Sequence, residues 1–94
     1  QISMEKVSIC AAINEKKKAE FFQTTESLQP LINNYCKDLK ITIDSKNNVS
    51  INIIFEDKKQ LENYYQRTEF NILKGSVKSL CHNINIEIND LAVN

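Results

Sequence analysis

The order of its hydrophobic periods constrains this chain most. Val7, Ile9, Ala11 and Ile13 alternate with Ser8, Cys10 and Ala12, a period of two that predicts a strand with one more apolar face. From Asn14 the spacing turns helical: Phe21, Thr25, Leu28, Ile32 and Tyr35 form a stripe with Phe22 and Leu31 beside it, while Lys16, Lys17, Lys18 and Glu26 face away. Two alternating runs come next, Leu39, Ile41 and Ile43, then Val49, Ile51, Ile53 and Phe55, joined by the turn-tolerant Ser45-Lys46-Asn47-Asn48. A second helical region carries Leu61, Tyr64, Tyr65, Phe70, Leu73, Val77 and Leu80, and Ile84, Ile86 and Ile88 close the chain as a strand. The reading is βαββαβ in one small domain over residues 1–94.

The element ends have local chemistry. Asn14 suits an N-cap, with Glu15 favourable at the positive end of the helix dipole. Asp57 and Gln60 have capping-box spacing, and Thr68 is a second N-cap candidate, so the second helical region is one long helix or two pieces broken near Arg67. Pro30 inside the first helix removes a backbone bond and predicts a kink or a restart. Gly75 marks either close packing or a loosened turn.

The alternations also sort the sheet into faces. If Val7, Ile9, Leu39, Ile41, Ile51, Ile53, Ile84 and Ile86 meet the helices, then Ser8, Cys10, Thr42, Asn52, Ile54, Asn85 and Glu87 line the other side. That second face is too polar to be a monomer's core. It stays wet or meets the same face of another subunit, and a chain of 94 residues gains from added burial, so a homodimer is expected.

Twelve basic and twelve acidic residues cancel, and no basic patch interleaved with aromatics stands out, which argues against a nucleic-acid partner. No apolar run is long enough for a membrane helix, and the start, Gln1 to Met4, has no signal-peptide core. Three widely spaced cysteines, Cys10, Cys36 and Cys81, suggest neither a disulfide framework nor a zinc motif, so a cytoplasmic protein is expected.

The chain resembles the antibiotic biosynthesis monooxygenase family, small proteins of dimeric α+β barrel fold in which two ferredoxin-like, four-stranded antiparallel sheets pack together. The resemblance rests on Lys6-Val7-Ser8-Ile9, on Lys16-Lys17-Lys18-Ala19-Glu20-Phe21-Phe22, on the run from Val49 to Asp57, and above all on Gln60-Leu61-Glu62-Asn63-Tyr64-Tyr65-Gln66-Arg67-Thr68-Glu69-Phe70. That last stretch is similar to the family's aromatic-rich helix and the short motif ending His-Phe after it. Here Glu69 stands for the histidine, and Phe55 for the tryptophan that often ends the third strand. The resemblance implies an α+β fold with a pocket between sheet and helices, where an aromatic, quinol-like or carbonyl compound reacts with dioxygen without a bound flavin, metal or other cofactor. It implies catalytic roles for Asn63, Tyr64, Tyr65 and His82, and substrate contacts for Phe22, Phe55 and Phe70.

The residues by themselves support plainer roles. Phe22 and Phe70 at helical spacing read as core, and Tyr64 and Tyr65, about 100° apart on one helix, cannot both face the sheet. His82, the one histidine, reads as a loop residue before the last strand, with no ligand set to complete a metal site. A heme-degrading relative is disfavoured, because its second-helix histidine falls near Lys74 or Ser76. Cys10 has no base near it in sequence, and Glu87 reads as a solvent-facing or interface charge. Two functions remain: a cofactor-free monooxygenase-like enzyme, or a non-catalytic dimer that binds a small molecule or regulates. The enzyme reading requires a closed pocket in which Tyr64 or Tyr65 and a polar partner converge on one point, whereas a structure with no cavity of about 300 Å³ between helices and sheet favours the second.

Overall fold

The computed structural model describes residues 2–93, with side chains from 4 to 90; Gln1 and Asn94 lie outside it. In chain order it runs β1 (Ile2–Ile13), α1 (Lys18–Ile32), β2 (Asp38–Ile43), β3 (Asn48–Phe55), α2 (Lys58–Tyr64), α3 (Thr68–Leu80) and β4 (Cys81–Val93). The strands form one sheet in the order β2-β3-β1-β4, with every neighbouring pair antiparallel. This is the ferredoxin-like arrangement.

The register shows how alternation becomes a core. Val7 lies opposite Ile53, Ile9 opposite Ile51 and Ala11 opposite Val49, so the inward residues of β1 and β3 form continuous rows. Phe21, Thr25, Leu28 and Ile32 of α1 and Phe70, Leu73 and Val77 of α3 are buried, and with those rows the apolar ones among them make one core cluster. β4 starts earlier than its alternation suggests, at Cys81, so His82 is a strand residue opposite Ala12. A β-bulge lets both Cys81 and Ile84 reach the core: Cys10 pairs with Asn85 but Ala12 with His82, and Asn83, at φ 53°, takes up the extra residue. Ile86 faces the helix side opposite Ile9 as expected, yet Ile86 and Ile88 are 44% and 46% exposed, because on this edge strand the helical cover runs out.

Asn14 accepts the Lys16 N–H and caps a short 3₁₀ turn that leads into α1. Helix α1 passes through Pro30 without a restart. Pro30 lies in its last turn, so the one backbone bond it forgoes, to the Glu26 carbonyl, is lost near the helix end, and a 3₁₀ turn continues from Asn33 to Tyr35. The second helical region is two helices. Asp57 accepts the Gln60 N–H at 2.8 Å, while the Gln60 side chain accepts the Glu56 N–H at 2.8 Å, a capping box reaching one residue further back than usual. Arg67, with extended backbone, holds the N-cap position of α3, and Thr68 is its first helical residue. A Cβ on Gly75 would meet open space, so this glycine serves neither close packing nor a break in α3.

The β2–β3 turn is organised by Asp44, a residue whose place at the end of an alternating run gives no hint of that role. Its carboxylate accepts the N–H groups of Lys46 and Asn48 at 2.9 Å each, and Asn47 adopts φ 64°, which asparagine tolerates. Those bonds hold the Asp44 carboxyl below its usual range, the Asn48 backbone bond contributing most.

Candidate functional site

Four of the aromatic residues singled out from sequence come together where β3, α2 and α3 meet. Phe55, at the end of β3, packs its ring 5.7 Å from Tyr64 and 5.9 Å from Phe70, and Tyr64 and Phe70 lie 4.7 Å apart. Tyr65 sets its ring edge-on to Tyr64 at 5.1 Å. The helical rotation between the two tyrosines decides their fates: Tyr64 is 2% exposed and Tyr65 52%. The Lys74 ammonium sits 5.5 Å from the Tyr64 ring centroid and 5.9 Å from that of Tyr65.

Burial, and secondarily Tyr65, pushes the Tyr64 phenol up to about 12. Tyr64 is therefore a neutral hydroxyl near neutral pH, able to donate a hydrogen bond but not to act as a resident base.

The other sequence candidates lie elsewhere. Asn63 is exposed, and its carbonyl accepts the Gln66 and Arg67 N–H groups where α2 ends. His82 is exposed on β4 opposite Ala12, whose side of the sheet is the one turned away from the helices. Phe22 is not core: it is 49% exposed, because the helical stripe that meets the sheet centres on Phe21 and Thr25, to either side of it in the chain. Instead Phe22 lines an open cavity of about 420 Å³ between α1 and β2, together with Thr25, Glu26, Gln29 and Ile41. The volume is ample for a small molecule, but the tyrosines have no part in it.

Glu69, standing where the resembled family has histidine, is occupied by Arg67. The guanidinium bonds the carboxylate at 3.3 and 3.4 Å and lies 3.6 Å from the Tyr35 ring centroid. The backbone N–H of Glu69 itself, then Arg67, keeps its carboxyl below the ordinary range. This chain of contacts ties the α2–α3 junction to the end of the first helical region.

One residue is not among the sequence candidates. Glu5 takes the inward phase of β1, two residues before Val7, and is 4% exposed, with no hydrogen-bond partner for Oε1 among the described residues. It lies directly opposite Phe55 on one side and Asp90 on the other. Continuing the alternation backward from Val7 would have flagged it as a charge in a core position.

Burial is the main cause that raises the thiols of Cys36, to about 11, and Cys81, so neither is a thiolate nucleophile near neutral pH. No group of three or more metal-ligating side chains is present among the described residues. No described helix is long and apolar enough to cross a membrane.

Solved structures share this geometry. A candidate antibiotic biosynthesis monooxygenase from Caulobacter crescentus CB15 superposes with a TM-score of 0.82 at 16% identity, covering 99% of this chain and 92% of that one. The fold is that of the antibiotic biosynthesis monooxygenase-like structures. A conserved protein from Methanosarcina mazei Go1 gives a TM-score of 0.82 at 14% identity, over 95% of this chain and 93% of that one. A protein of unknown function from Bacteroides thetaiotaomicron VPI-5482, described as a possible oxidoreductase, gives 0.79 at 15% identity, over 95% and 98%. No family model matches the chain, and no curated protein is significantly similar to it in sequence. At these identities the likeness speaks for the fold and leaves the activity to the site.

Proposed function

We propose that this chain is a cofactor-free, small-molecule monooxygenase that works as a cytoplasmic homodimer on an aromatic hydroxy compound of the quinol type. The observation that carries the reading is the convergence of Phe55, Tyr64, Tyr65 and Phe70 with Lys74, from three elements of a fold shared with candidate monooxygenases. Such a substrate supplies its own electrons: a dihydroxynaphthalene takes one oxygen atom of dioxygen to become a hydroxynaphthoquinone, and the other leaves as water with two substrate hydrogens. Phe55, Tyr64 and Phe70 are buried on one another, so the face of the cluster open to a flat ring is Tyr65, which is half exposed beside Lys74. The neutral Tyr64 hydroxyl and the Lys74 ammonium suit an oxygen that becomes anionic as it is deprotonated.

The dimer reading rests on the bare sheet face. Ser8 and Asn52 bond each other there at 3.2 Å, and Cys10 is exposed. A second copy on this face would form the two-sheet barrel that the sequence resemblance implies. The free thiols of Cys10, Cys36 and Cys81 suit a reducing compartment.

A second reading, a non-catalytic binding dimer, is favoured by Glu69, which Arg67 already holds, and by the open cavity at Phe22, which lies apart from the tyrosines. Oxygen uptake with 1,4-dihydroxynaphthalene separates the two. The enzyme reading expects uptake by the native protein and a fall of about tenfold or more in Tyr64→Phe, the loss of one hydrogen-bond donor to a developing anion. No uptake above the spontaneous rate leaves the binding reading in place.

A further inference from the structure

The open cavity between α1 and β2 has a lining of one electrical sign. Of Phe22, Thr25, Glu26, Gln29 and Ile41, which surround its volume of about 420 Å³, only Glu26 is charged. The chain gives that carboxylate no cation. Its helical neighbours three and four residues away are Gln23, Phe22, Gln29 and Pro30, and among the described residues it makes no ion pair, whereas Glu15 and Glu69 each hold one.

The remaining groups narrow the chemistry. Phe22, Glu26 and Gln29 follow at helical spacings of four and three, so α1 turns an aromatic ring, a carboxylate and an amide to one side, and Ile41 of β2 adds aliphatic surface. The Thr25 hydroxyl donates to the Phe22 carbonyl at 3.2 Å, so what it has left for a ligand is an acceptor. Acceptors therefore predominate. An anionic ligand meets like charge at Glu26 and no cation, while a metal ion meets a single carboxylate where hard cations take about six oxygens or more. An ammonium group on an apolar body matches all five residues: it donates to the acceptors, neutralises Glu26, and brings a ring to the half-exposed Phe22. The volume lies within the range of small-molecule sites.

We propose that the cavity between α1 and β2 binds a small arylalkyl ammonium ion, its aromatic body on Phe22 and Ile41 and its ammonium donating to Glu26 and Gln29. None of the tyrosines lines this cavity, so the site stands apart from the oxygenase reading; under the binding reading it names the class of ligand. The association is non-covalent. Because Glu26 is exposed, its attraction for the cation acts partly through solvent and weakens as salt rises.

The test titrates the full chain with 2-phenylethylamine, 2-phenylethanol and 3-phenylpropionate, three compounds with one aromatic body and a positive, neutral or negative end, followed by calorimetry and by backbone amide shifts. The native protein binds the amine most tightly and the acid least, and raising salt from about 0.01 M to about 1 M weakens the amine but not the alcohol. Glu26→Gln, a change at an exposed position, keeps the urea midpoint yet lowers amine affinity by about fivefold or more, the loss of one charge-assisted hydrogen bond, and leaves the alcohol within about twofold. Phe22→Ala weakens amine and alcohol alike. The amide shifts centre on Phe22, Glu26, Gln29 and Ile41. Equal amine affinity in native and Glu26→Gln protein overturns the proposal, as do no saturable amine binding, an acid that binds as tightly as the amine, or shifts centred on Tyr65 and Lys74. Oxygen uptake with 1,4-dihydroxynaphthalene is measured separately: its absence beside Glu26-dependent amine binding removes the oxygenase reading and leaves this site standing, and uptake without amine binding does the reverse.

Discussion

The two faces of the sheet are built from the same strands and differ in almost every other respect. On the helix side Val7, Ile9, Ile51, Ile53 and Phe55 are sealed under α1, α2 and α3. On the other side Ser8, Cys10, Ser50 and Asn52 remain within reach of solvent, held by little more than the ladder and the Ser8–Asn52 bond. The contrast teaches that one face carries the stability of the monomer while the other is free to serve association. Even the sealed face is uneven, because its cover fails along β4, where Ile86 and Ile88 are open, and a buried carboxyl group, that of Glu5, lies next to that strand.

The sharpest way to break the contrast is to cut into the sealed face. Phe70→Ala leaves a cavity against Phe55 and Tyr64, and a loss of about 3–5 kcal/mol in urea unfolding is expected. A loss under about 1 kcal/mol would mean that the cluster is loosely packed. On the bare face, Cys10→Arg should change monomer folding by no more than about 0.5 kcal/mol while shifting the mass seen by light scattering from dimer to monomer. A native protein that already scatters as a monomer would assign that face to solvent.

Smaller effects test the surface. Gly75→Ala puts a methyl into open space on α3 and should stabilise by about 0.5–1 kcal/mol, raising Tm by roughly 4–8 °C per kcal/mol for a domain of this size. The least is expected from the β2–β3 turn. The Asp44 carboxyl titrates below its ordinary 3.8, so its contribution is present above that value and is lost as pH falls through the lowered folded one. Amide exchange at Lys46 and Asn48 should speed up in Asp44→Ala and, in the native chain, only at such acidity.

Legibility tracked the range of the forces involved. Strands β1 and β3, the Asn14 and Asp57 caps and the break near Arg67 depend on neighbours within a few residues, and all could be read from the chain. Among candidate site residues, Phe55, Tyr64 and Phe70 were gathered as their apolar spacing implied, and Tyr65 turned out because adjacent helical residues diverge. Phe22 and Ile86 failed the same logic. Each lies on or beside an apolar stripe, but how far a helix reaches across a sheet is not written in either element.

The sequence by itself determined the order of elements, the inward phase of each strand and the polarity of the second face, because periodicity and capping act locally. Tertiary structure alone decided that a bulge at Asn83 keeps Cys81 and Ile84 on one side, that Arg67 holds Glu69 against Tyr35, and that Glu5 is enclosed between Phe55 and Asp90. Those outcomes depend on registers and packing between segments far apart in the chain, where the pairing of one residue is fixed by the sum of all the others.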